Sequence, residues 1–107
     1  LIDDNLDKAD MIIVRDLLVH LDTSDILKCL KNIKKHNFKY IAITNYPMLK
    51  VQHQDKFMGD KWRPINLSIE PFNLKQPNYN LDDTSILQEH DKDKYLSVWT
   101  NKNFIEN

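Results

Sequence analysis

The chain has 107 residues, room for one small domain, and its 15 Lys and Arg against 16 Asp and Glu give a formal net charge of −1 at pH 7. That balance excludes the bulk basic footprint of a nucleic-acid-binding protein and the polybasic character of a membrane-surface protein. Apolar residues are 41% and charged residues 29%, a globular mixture. The single glycine, Gly59, excludes a phosphate-cradling loop, which needs several glycines for close backbone approach. The single cysteine, Cys29, excludes an intrachain disulfide and a multi-cysteine zinc site, and fits a reducing, cytoplasmic setting. No stretch approaches the roughly 18 apolar residues of a membrane span. No basic-then-apolar signal sequence opens the chain. Position 1 is Leu1 rather than Met, as in a trimmed chain or a fragment.

In chain order, residues 1–10 are acidic and read as a loop. The run Met-Ile-Ile-Val at 11–14 predicts a strand near 11–15. Its lack of alternation suggests a strand buried on both faces, as in a parallel sheet. Residues 17–21 either extend this strand or form a first helical turn. Thr23 or Ser24 suits a helix N-cap, and Asp25 suits the first turn. Ile26, Leu27, Leu30 and Ile33 share one face, and Asn37 suits the C′ position, so a helix is predicted over 23–36. Residues 38–45 read as a second strand, ended by Asn45-Tyr46-Pro47. Strand, helix and strand make a βαβ unit with parallel strands. Residues 46–80 hold all four prolines and the glycine and show no clear period. An ordered irregular stretch of that length is usually functional. Residues 85–89 and 95–99 read as two strands of a closing hairpin, joined by a polar turn at 90–94. The fold class expected is α/β, in a single domain over 1–107.

Ligands of open α/β sheets sit at the carboxyl ends of the parallel strands. That rule selects Arg15-Asp16 and Asn45-Tyr46, either as ligand-holding groups or as a salt-bridged strand end and an ordinary turn. His20, four residues after Asp16, falls on the same side of a helical turn. It is a candidate general base or a polar residue satisfied by backbone. His36, His53 and His90 read as solvated, Cys29 reads as core, and no His or Cys spacing supports a metal. Trp62, Arg63 and Asn66 offer a stacking surface, a fork for carboxylate or phosphate, and an amide. The bland alternative is a loop pinned to the sheet by Trp62. Phe72 and Leu74 are candidate anchors of that loop.

The stretch Ala-Asp-Met-Ile-Ile-Val-Arg-Asp-Leu-Leu-Val-His-Leu at 9–21 resembles the region of the fourth strand of class I S-adenosylmethionine-dependent methyltransferases. The following helix and Tyr-Ile-Ala-Ile-Thr-Asn at 40–45 look like their next helix and fifth strand. Gly59, Trp-Arg-Pro-Ile-Asn-Leu at 62–67 and Pro-Phe-Asn-Leu at 71–74 look like the loop of one bacterial subgroup. The final two strands look like the closing hairpin. The resemblance covers nearly the whole chain, and it implies a Rossmann-like seven-stranded sheet of which this chain is the C-terminal half. The glycine-rich cofactor loop after the first strand and the ribose-binding acid after the second have no counterpart here.

By that resemblance, Arg15 and Asp16 lie near the methionine moiety of S-adenosylmethionine. His20, Asn45 and Tyr46 line the methyl-transfer pocket, and Trp62, Arg63 and Asn66 face a small-molecule acceptor. The expected function is part of a methyltransferase, with the isolated piece inactive and unable to bind the cofactor tightly. The alternative is a non-catalytic α/β ligand- or partner-binding module. In the implied sheet the strand near 11–15 is central, so its open edge here is expected to favour a homodimer, unless residues 1–8 cover it.

Overall fold

The computed structural model describes residues 10–52, 63–83 and 93–105. Four strands form one sheet in the order β1-β2-β4-β3. β1 is Met11–Val14, β2 Tyr40–Asn45, β3 Tyr79–Asp82 and β4 Tyr95–Thr100. A helix, α1 (Thr23–Lys35), joins β1 to β2, and a short helix, α2 (Asn101–Ile105), follows β4. β1 and β2 are parallel, whereas β4 runs antiparallel to both β2 and β3. The architecture is therefore α/β with a mixed sheet containing one parallel pair, and the βαβ unit is present where the sequence predicts it.

α1 forms because Ile26, Cys29, Leu30 and Ile33 recur at helical spacing and all are buried. Leu27, expected on that face, is exposed, and Cys29 takes its place. The i, i+3, i+4, i+7 set gives a narrower stripe than one including i+1. The N-cap is Asp22, one residue before the expected Thr23 or Ser24, and no side-chain cap bond is made there. At the other end Asn37 has φ 58° and takes the expected C′ position, which asparagine tolerates well. Residues 18–20 make a short 3-10 turn rather than extending β1.

Register sorts the sheet into two faces. Ile12, Ile41 and Trp99 lie side by side on one face, and Val14, Ile43, Ser97 and Asn80 form the next row. This face carries the core. α1 packs there, together with Ile65, Leu67, Phe72 and Leu74 from the segment between β2 and β3, and Phe104 of α2. The Trp99 indole N–H donates to the Lys75 carbonyl at 2.8 Å, and its ring meets Phe104 edge-on at 5.8 Å. Phe72 and Leu74 do anchor that segment, as expected.

The opposite face carries Met11 and Ile13, which are 43% and 59% exposed. β1 is therefore not buried on both faces, contrary to the sequence expectation. An uninterrupted apolar run records what a strand could bury, and among the described residues no helix covers this side. On the side of β4 away from β2, its antiparallel partner is Tyr79–Asp82. The strand expected at 85–89 lies outside the described residues, as do Gly59, Trp62, His53 and His90.

Candidate functional site

The carboxyl ends of β1 and β2 lie together because the strands are parallel and in register, Val14 beside Ile43. Beyond Val14 the chain turns sharply at Asp16, whose φ is 56°. Aspartate is among the few residues that enter this left-handed region at modest cost. The turn aims the Asp16 N–H at the Thr44 hydroxyl on the adjacent strand, 2.7 Å away.

β4 begins and β3 ends at this same end of the sheet, which brings in two residues the sequence reading does not single out. Asp83 accepts from the Arg15 guanidinium through both oxygens, with Nε to Oδ2 at 3.0 Å. Lys94 Nζ lies 2.7 Å from Asp16 Oδ1 and 3.9 Å from Asp83 Oδ2. Arg15, Asp16, Asp83 and Lys94 thus form an ion network running from the end of β1 past the ends of β2 and β4 to β3. The hydrogen bond to Asp83, then its charge, raises the Arg15 pKa above its ordinary value. The two cations and two carboxylates are paired with one another at the rim. Sequence could hint at Asp83 and Lys94 only as opposite charges flanking a polar stretch.

Asn45 and Tyr46 are buried beneath this rim. Asn45 is 0% exposed, its Nδ2 donates to Ser97 Oγ at 3.0 Å, and its Oδ1 accepts from the Leu67 N–H at 2.9 Å. The Ser97 hydroxyl in turn donates to Asn80 Oδ1. The Tyr46 N–H donates to the Ile65 carbonyl at 2.9 Å. Both residues hold the segment after β2 against the sheet.

Arg63 and Asn66 do the same from within the segment. Arg63 is buried, its N–H donates to the Val19 carbonyl at 3.1 Å, and its Nη2 donates to the Leu21 carbonyl at 3.1 Å and to Thr23 Oγ1 at 3.3 Å. Asn66 Nδ2 donates to the carbonyls of Leu49 at 2.8 Å and Pro47 at 3.3 Å, while its Oδ1 accepts from the Ser68 N–H at 2.9 Å. Gln52 completes the clamp: its Oε1 accepts from the Asn66 N–H at 3.0 Å and its Nε2 donates to the Glu70 carbonyl at 2.8 Å.

The expected site residues therefore divide. Arg15 and Asp16 share the exposed rim; Asn45, Tyr46, Arg63 and Asn66 lie inside; His20 is exposed at the end of the 3-10 turn; Trp62 lies outside the described residues. His36, expected to be solvated, is partly buried as the C-cap of α1, with its Nε2 enclosed. Cys29 is in the core, and burial pushes its thiol pKa up to about 11. Among the described residues no three His, Cys, Asp or Glu side chains gather to hold a metal, and no helix is long and apolar enough to cross a membrane. No protein-family model matches the chain, and neither a curated protein nor a solved structure matches it.

Proposed function

We propose that the chain is the C-terminal part of a Rossmann-like, S-adenosylmethionine-dependent methyltransferase acting on a small-molecule acceptor. The observation that carries this reading is the rim itself. Arg15 and Asp16 stand at the carboxyl end of one parallel strand, and the Asp16 N–H is tied to Thr44 of its neighbour. Open α/β sheets take their ligands in that crevice. The motif at 9–21 that resembles the methyltransferase family runs through this rim at Arg15 and Asp16.

The residues fit only one end of the cofactor. The mixed charges of Arg15, Asp16, Asp83 and Lys94 suit an α-amino carboxylate such as the methionine moiety. The remainder of the cofactor needs a glycine-rich cradle, and Gly59 is the single glycine of the chain. Asp16 and Arg15 are assigned to the cofactor side and His20 to the pocket side. Asn45, Tyr46, Arg63 and Asn66 act by holding the loop that would face the acceptor, with Trp62 next to Arg63 in sequence.

A second reading, a non-catalytic α/β module, is favoured by the internal use of Asn45, Arg63 and Asn66, whose polar groups are spent on backbone and on Ser97 and Thr23. The coding sequence upstream of Leu1 separates the two. An open frame encoding a strand followed by clustered glycines, giving a protein whose methyl transfer falls at least tenfold in Asp16→Ala but not in Cys29→Ala, supports the enzyme. A start codon adjacent to Leu1 supports the module.

A further inference from the structure

We infer that two copies of this chain associate through the edge of β1 that no described strand pairs, antiparallel about a two-fold axis through Ile13. Among the described residues β1 ends the sheet and β2 is its strand partner. The Tyr40 N–H donates to the Asp10 carbonyl at 2.8 Å, while Met11 is the register partner of Tyr40. In a parallel ladder, alternate residues direct their N–H and C=O to alternate sides. Asp10, Ile12 and Val14 thus face β2, and Met11 and Ile13 turn theirs outward. The side chains of these two residues, which stand on the sheet face opposite the core, are apolar and exposed.

Natural edges are blunted by lysine, proline or a bulge. β1 has none of these, whereas the opposite edge, β3, carries Asp82 and follows Pro77. A two-fold axis normal to the sheet keeps each face on its own side, so the self-pairing must be centred on a residue. Centring on Ile13 uses the outward groups of Ile13 twice. It sets Ile13 against its own copy, Ile12 against Val14, and Met11 against the stem of Arg15. These pairs oppose no like charges, and a net charge of −1 provides little long-range repulsion. A four-residue edge buries far less than the ~1,200 Å² at which standard interfaces begin, so the dimer is weak and reversible. Two-fold closure uses the β1 edge of both copies, so this contact stops at two copies.

The inference does not rest on the methyltransferase reading. Its test is sedimentation equilibrium of the 107-residue chain from low micromolar to millimolar concentration, alongside Ile13→Pro, Ile13→Lys and Ile13→Asp. The wild-type average mass is expected to climb from 12.8 kDa toward twice that value. Ile13→Pro removes an outward donor that β2 does not use, so the fold survives by circular dichroism while the mass stays monomeric. Ile13→Lys and Ile13→Asp each place like charges directly opposite and are monomeric alone, but mixed together they restore the dimer. Should Ile13→Pro unfold, the charged pair decides. The inference is overturned by a wild-type monomer throughout, by growth beyond two copies, or by a dimer that Ile13→Lys leaves intact. A wild-type monomer whose Met11 and Ile13 amides resist hydrogen exchange would identify another segment of the same chain as the occupant of the edge.

Discussion

Replacing Asn45 by alanine removes one side chain that joins three parts of the molecule. Its Oδ1 is the acceptor for the Leu67 N–H, and its Nδ2 is a donor to Ser97 Oγ. Leu67 and Asn45 are both 0% exposed, so water does not replace the lost acceptor. An orphaned buried N–H costs about 1–3 kcal/mol, and the lost bond to Ser97 adds about 1 kcal/mol. The substitution should therefore destabilise the fold by about 3 kcal/mol. Against a total near 5–15 kcal/mol the chain still folds. With a urea slope of about 1–3 kcal/mol per molar for a small domain, the unfolding midpoint should fall by about 1–3 M. Trp99, buried against Phe104, is a suitable fluorescence probe. A shift worth less than about 0.5 kcal/mol, the scale of an ordinary surface substitution, with the slope unchanged, would refute the clamp.

Asn66→Ala should cost a similar ~2–3 kcal/mol, because the Leu49 and Pro47 carbonyls and the Ser68 N–H lose one shared partner; urea unfolding measures it, and faster hydrogen exchange at Ser68 should accompany it. Arg15→Ala should leave the urea midpoint within measurement error, since the Arg15 side chain is mostly exposed and Lys94 still faces Asp83; a clear drop would give the ion network a structural role. The Cys29 thiol should react with a disulfide reagent only as fast as the chain opens, and rapid labelling of the folded protein at pH 8 would contradict its burial. Its raised pKa means the folded state keeps the proton where the unfolded state has lost it, so stability should fall as pH rises from the ordinary 9.0 toward about 11. Flat stability across that window, followed by urea titration, would show that the thiol is not desolvated.

The elements legible in the sequence are those fixed by local signals. α1 follows from its apolar period and from Asn37, and β1 and β2 from β-branched runs bounded by polar residues. Their parallel pairing follows from the length of the connection. What sequence could not give is tertiary. Whether the apolar run at 11–14 is covered on both sides depends on what packs there. Asn45, Arg63 and Asn66 carry the residue types of a binding site, yet each is spent on carbonyls, amides or hydroxyls of distant segments, which no spacing rule reveals. Asp83 and Lys94 reach the rim because β4 runs antiparallel beside β2, a consequence of sheet order rather than of any motif.

The most direct test of the proposed rim is an amide-detected NMR titration of the 107-residue chain with S-adenosylmethionine. Weak binding is expected, with a dissociation constant above about 10 μM, or less than roughly 7 kcal/mol of binding free energy. The shifts should be concentrated at Arg15, Asp16, Thr44 and Asn45 and lost in Asp16→Ala. Binding at or below that constant, or no change at these four amides at millimolar ligand, would contradict it.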